Sequence, residues 1–222
     1  MSQNTSHAVM SQRVEAHDSL DYFPTPPWAT RALCEWLSER HNISLQTAWE
    51  PACGECDMAR PLAEYFKSVE ASDVNDYSRG RGVEQSRVTD FLMSWDRPPH
   101  HSQRRHDWII TNPPFRLGEQ FVQQAITECA KGCAMLVRTA FLEGVGRHEG
   151  LFSVHRPFAV LQFAERVPMH KGKLTAAGST ATAYCWIVWL KDPAQFTIFD
   201  WIGKCRRSLE RPGDYPVMEA AE

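Results

Sequence analysis

The 222-residue sequence contains no apolar run near the ~20 residues that a membrane-spanning helix needs; Tyr184 to Leu190, its longest, is the length of a strand. Residues 1–20 are polar and aperiodic, without the apolar centre of a secretory signal. They read as a flexible N-terminal segment, and a cytoplasmic setting without membrane contact is expected. Positive charge is not in excess: 24 Lys and Arg stand against 27 Asp and Glu, net −3. Bulk charge therefore cannot draw the chain to nucleic acid. A disulfide framework is missing too, because the seven cysteines are odd in number and scattered, so reduced thiols are expected. The pairs Cys53/Cys56 and Cys129/Cys133 lack the tight turns of a zinc ribbon, and no metal site is expected. No Gly-x-Gly-x-x-Gly follows the first strand, which excludes a nicotinamide dehydrogenase.

What is present is an alternation of helical and strand patterns. Thr25-Pro26-Pro27 suits a helix start, with Thr25 as N-cap, and Trp28, Ala32, Leu33, Trp36 and Leu37 follow at helical spacing. A strand over 47–50 leads into a turn at 51–54 and a second helix that Asp57 can cap. Strands are predicted at 68–72 (ending at Asp73), 88–92, 107–111, 133–138, 158–163 and 183–190. A helix is predicted over 118–130 and a weakly helical stretch over 142–154. Strands alternating with helices imply an α/β fold, a mostly parallel sheet with helices on both faces.

The sharpest chemical signal is an apolar strand running into Asn112-Pro113-Pro114-Phe115. The Asn112 side-chain oxygen and the Pro113 carbonyl can each accept a hydrogen bond from a planar NH2 group. Two prolines hold them still, and Phe115 offers a stacking face for a base. Upstream, Glu50-Pro51-Ala52-Cys53-Gly54 lies between a strand and a helix, where glycine admits close approach of a nucleotide-like ligand. Asp73 then ends the second strand, placed to bind ribose hydroxyls, and Asp90-Phe91 could receive an adenine. Taken singly, each piece is common in turns; their order is the signal.

In this order the residues resemble the amino-methyltransferases of the N6-adenine and N4-cytosine DNA type, particularly small phage- and prophage-borne members. That family's Phe-x-Thr-Pro-like segment is matched by Tyr22-Phe23-Pro24-Thr25-Pro26, and its cofactor loop by Glu50 to Cys56. Its acidic ribose ligand is matched by Asp73, its adenine-binding pair by Asp90-Phe91, and its catalytic tetrad by Asn112 to Phe115. The resemblance implies a Rossmann-like seven-stranded class I methyltransferase domain over 21–204, a tail over 205–222, and S-adenosylmethionine as cofactor. It implies DNA as partner and adenine N6 as acceptor. An RNA base or a glutamine amide would present the same planar NH2 and stays open, as does a non-catalytic binding module on the same fold. Cysteine chemistry is not implied, since no Pro-Cys pair stands at the turn.

Two departures matter. The family's second loop glycine is Cys56 here, so the backbone is expected to swing less freely. Little chain remains for a separate target-recognition domain, and two segments are expected to replace it: 141–156 with Arg147 and His148, and 166–183 with Arg166, His170, Lys171 and Lys173. Other cations cluster at Arg79, Arg81 and Arg87, at Arg104, Arg105 and His106, and at Lys204, Arg206 and Arg207.

Overall fold

The computed structural model describes residues 21–77, 84–93, 106–176, 178 and 180–216. The segment 1–20 and the cations Arg79, Arg81, Arg104 and Arg105 lie outside the described residues. Among the described residues eight strands form one sheet: β1 Thr47–Glu50, β2 Ser68–Asp73, β3 Arg87–Val88, β4 Trp108–Thr111, β5 Gly132–Arg138, β6 Ala159–Phe163, β7 Tyr184–Leu190 and β8 Ile198–Ile202. Their spatial order is β3-β2-β1-β4-β5-β7-β6-β8. All neighbours run parallel except β7, which pairs antiparallel with both β5 and β6.

Period-2 alternation in these strands sorts two cores. Trp108, Ile110, Ala134, Leu136, Trp186 and Val188 point to one face, under helices α1 (Pro27–Ser38) and α2 (Ala59–Ala63). Ile109, Cys133, Met135, Val137, Cys185 and Ile187 point to the other, under α3 (Gly118–Glu128) and the coil of Leu151. Helices thus cover both faces, as the binary pattern requires.

The eighth strand is a difference from the seven expected. Ile198–Ile202 adds parallel to β6, with Ile202 buried and Asp200 accepting from Trp36 Nε1 at 3.2 Å, while Phe199 and Trp201 stay exposed. Its apolar residues occupy both faces, which hid the alternation. Thr25 also departs from expectation. The helix is preceded by Pro26, with no side-chain cap. Prolines at the helix start have no N–H to satisfy, so the Thr25 hydroxyl is released for another partner. Asp57 likewise does not cap α2; it bonds Tyr22 and Arg60.

The stretch 142–154 is broken into a 3-10 turn at Thr139–Leu142, a short α4 at Val145–Arg147 and a π turn at His148–Phe152. Residues 205–216 include α5 (Arg206–Leu209) and are tied to α1 by the buried Arg31. Its guanidinium donates to Asp214, Glu64 and the Leu209 carbonyl at 2.7–2.9 Å. Among the described residues no helix is long and apolar enough to cross a membrane.

Candidate functional site

In an open α/β sheet the strand order reverses where two neighbouring crossovers leave on opposite faces, and a crevice opens at the strands' carboxyl ends. Here that point lies between β1 and β4. Glu50 ends β1, Asp73 ends the adjacent β2 and Asn112 follows the end of β4, and all three line one cavity of about 440 Å³. Its walls come from 21–25, from 50–53 with Asp57 and Met58, from 73–75 with Tyr77, from 90–92, and from 112–115 with Leu117 and Phe121. Of the residues singled out in the sequence, Phe23, Thr25, Glu50, Pro51, Ala52, Cys53, Asp73, Asp90, Phe91 and Asn112 to Phe115 all border it. Pro26 and Gly54 do not border it.

At one end lies Asn112. Its Nδ2 donates to the Phe23 carbonyl at 2.9 Å and to Thr25 Oγ1 at 3.1 Å, and touches Met169 Sδ at 3.7 Å. A main-chain carbonyl can only accept, so the amide orientation is fixed by its partner. The consequence is a buried Oδ1 with no protein donor. A buried acceptor left unpaired costs stability unless a ligand supplies the donor. The backbone N–H of Phe115 is held by Asp21 Oδ2 at 2.7 Å, and the Phe115 ring packs on Phe23 with centroids 4.9 Å apart.

At the other end the loop after β1 folds back on β2. Gly54 N donates to Asp73 Oδ2 at 3.0 Å, and Asn75 N donates to Oδ1 at 3.0 Å. The Val74 backbone and the Asn75 side chain also bond this carboxylate. Gly54 has φ +50 and lies under the Tyr22 ring; a Cβ there would stand 2.4 Å from Tyr22 Cε2. Tyr22 is pinned by its hydroxyl on Asp57 Oδ2 (3.2 Å) and by Gly172 N on its carbonyl (2.8 Å), and its ring leans on Tyr77 at 5.6 Å. Contrary to expectation, Cys56 does take the glycine-like conformation, with φ 63. For a residue with a Cβ this costs roughly 1–2 kcal/mol, held in place by full burial.

Acidic groups dominate this floor. Burial raises Glu50 well above the usual carboxylate range, helped by Cys56 and Asp73, and its Oε2 has no partner. Burial also raises Asp73, against the lowering effect of its backbone donors. Glu50 therefore binds a proton in the folded state at pH values where the unfolded chain has released it. In that window, above the unfolded carboxyl value, folding stability falls as pH rises, by about 1.4 kcal/mol per pH unit for one proton. Glu50→Gln is accordingly expected to raise the melting temperature of the ligand-free protein near pH ~8, with the gain fading toward pH ~5. Parallel melting curves for variant and parent across that range would contradict this.

Phe91 borders the cavity from within the core, edge-on to Trp49 at 5.1 Å, and Asp90 Oδ1 accepts from Leu92 N at 2.8 Å. The loop 166–183 is anchored rather than loose: Val167, Met169 and Leu174 are buried, and Arg166 donates to the Ala181 carbonyl at 3.0 Å. Anchoring through Met169 and Gly172 brings Lys171 and Lys173, both exposed, beside the Asn112 end; His170 is half-buried next to them. In the other segment Arg147 is occupied by its own turn, donating to the Phe141 and Glu143 carbonyls, and His148 is exposed. Arg87 and His106 pair with Glu70 at 2.8 and 2.9 Å. Asp21, Asp57 and Tyr77 belong to the cavity without having been singled out for it; Tyr77, four residues past Asp73, carried a faint aromatic signal. Among the described residues no cluster of three metal-ligating side chains occurs.

No family model matches the sequence, and no curated protein does either. Solved structures do match. The type I restriction-modification system methyltransferase subunit from Streptococcus thermophilus aligns with 89% of this chain and 50% of its own, at 11% identity and a TM-score of 0.59. A Vibrio vulnificus protein, provisionally assigned as the modification subunit of a type I restriction enzyme, aligns with 81% and 47%, at 14% and 0.52. A provisionally assigned RNA methyltransferase from Pyrococcus horikoshii aligns with 77% and 87%, at 15% and 0.56. The chain spans about half the length of the two restriction-modification subunits it matches. At these identities the likeness is one of fold: the Rossmann-like sheet of class I methyltransferases.

Proposed function

We propose that the chain is an S-adenosylmethionine-dependent methyltransferase acting on an exocyclic amino group, with N6 of adenine in DNA as acceptor. The observation that carries this reading is the buried, unpaired Oδ1 of Asn112, a cavity-lining residue whose nitrogen is held by two acceptors. The residues at the other end suit the cofactor. Pro51, Ala52 and Cys53 line the cavity, the Asp73 carboxylate can accept from ribose hydroxyls, and the carboxyl of Glu50 can face a cationic amino-acid end. When bound, S-adenosylmethionine supplies an electrophilic methyl carbon on a sulfonium and leaves as S-adenosylhomocysteine.

The chain's own part is positioning. Asn112 Oδ1 and the Pro113 carbonyl accept the two N–H bonds of the acceptor amine, which turns its lone pair along the remaining direction. Pro113 and Pro114 keep both acceptors from drifting, and Phe115 supports the ring. The amine nitrogen becomes acidic only after it has gained the methyl, so its proton passes to water and no strong base is needed. Orientation and preorganised polarity are sufficient sources of rate. An adenine in a duplex would have to leave the stack first.

A polyanionic partner is supported by the exposed cations at this end, Arg116, Arg138, Lys171 and Lys173; the choice of DNA rests on the sequence resemblance. The test is transfer from radiolabelled S-adenosylmethionine to unmethylated DNA, RNA and a protein extract in parallel, with the modified residue identified after digestion. N6-methyladenine from DNA is expected. Label in RNA or protein would overturn the acceptor, and no label despite cofactor binding would overturn the enzymatic reading.

A further inference from the structure

The ring of Phe115 has two aromatic or cationic neighbours. Phe23 packs on it at 4.9 Å between centroids, tilted by 44°; Phe23 is itself packed against the core, and its carbonyl anchors Asn112. The guanidinium of Arg138 lies over a face of the ring, 3.9 Å from its centroid. Arg138 is the last residue of β5 and its side chain is exposed. An acceptor base that stacks on this face of Phe115 takes the place where Arg138 now sits.

We propose that Arg138 is a substrate-binding residue that clamps the acceptor base against Phe115, its guanidinium plane lying on the base's outer face. The inference rests on the nucleobase reading of the site. A base between them needs an aromatic spacing on each side, so the guanidinium must withdraw by roughly the thickness of one ring, ~3.4 Å. A long exposed side chain can do this by rotation, giving up its bond with the Tyr184 hydroxyl, with its strand fixed by seven paired residues of β7. The guanidinium is suited to the task because it is planar, weakly hydrated and stacks on π faces, whereas an ammonium is a compact hydrated point charge. Until a base arrives, Arg138 keeps the apolar ring from bulk water, and the base exchanges one cation–π contact for two stacked contacts.

The test separates stacking from charge. Arg138→Lys and Arg138→Ala are compared with the parent in steady-state transfer to an unmethylated oligonucleotide, in the salt dependence of binding, and in melting temperature. Loss of one stacked partner is expected to raise KM by roughly tenfold in both variants, with kcat changed much less and the melting temperature unmoved. The salt slope should be retained in Arg138→Lys. Full KM recovery in Arg138→Lys, together with a shallower salt slope in Arg138→Ala alone, would mean a phosphate contact and overturn the clamp. Parental KM in both variants would overturn it as well. A parent protein that transfers to no nucleobase would remove the reading beneath the proposal; a parent that transfers normally beside unaffected variants removes only the clamp.

Discussion

Asn112→Ala is expected to lower methyl transfer by roughly 10²–10³-fold, the loss typical of one preorganised hydrogen-bonding group, with S-adenosylmethionine binding changed only a few-fold. The asymmetry follows from position. Asn112 bonds the 23–25 segment, whereas Gly54 and Asp73 bond each other, and the Asn112 Oδ1 has no protein donor to lose. The alanine variant does remove more than an acceptor, because the Phe23 carbonyl and the Thr25 hydroxyl lose their shared donor. Thr25→Ala supplies the control: it deletes one tether and keeps the amide, so transfer should fall by a smaller factor than in Asn112→Ala. Single-turnover transfer and calorimetric cofactor binding report the two quantities separately. An Asn112→Ala protein that turned over at the parental rate would sink the proposed mechanism.

The strands that build the crevice were legible because they are local. Thr47–Glu50 is bounded by a short 3-10 helix before it and a proline after it, and Trp108–Thr111 is stopped by two prolines. Asn112 and Gly54 were legible as candidates because proline and glycine restrict the backbone wherever they stand. The contacts that give those residues their setting were not. Asp21 meets the Phe115 amide across 94 residues and Thr25 meets Asn112 across 87, and neither pairing leaves a trace in its own neighbourhood. Local propensity assigned Thr25 and Asp57 to helix caps, which is their commonest use; a tertiary partner took both. Arg147 illustrates the reverse case, a cation in a glycine-rich stretch that binds its own carbonyls. Cys56 was misjudged because a Cβ makes a positive φ costly but does not forbid it, and burial on all sides holds this one.

Gly54→Ala is the second large effect. Its φ of +50 already penalises a Cβ by roughly 1–2 kcal/mol, and the added methyl would stand 2.4 Å from Tyr22 Cε2, closer than carbon atoms can approach. Relief requires the ring to move, and the ring is not free to do so. Its hydroxyl is bonded to Asp57, its carbonyl receives the Gly172 amide, and the next residue carries the carbonyl that anchors Asn112. Displacing Tyr22 should therefore loosen both ends of the cavity together. The expected result is a lower melting temperature, cofactor binding weakened by at least about tenfold, and transfer lost in step. Pairing the substitution with Tyr22→Ala distinguishes the causes. The double variant removes the clash but keeps the unfavourable φ, so it should recover part of the melting temperature that Gly54→Ala loses. If Gly54→Ala bound S-adenosylmethionine as tightly as the parent, the close approach of this loop to the cofactor would have to be abandoned. If the double variant recovered nothing, the damage would lie in the backbone conformation, and the Tyr22 ring would be a bystander.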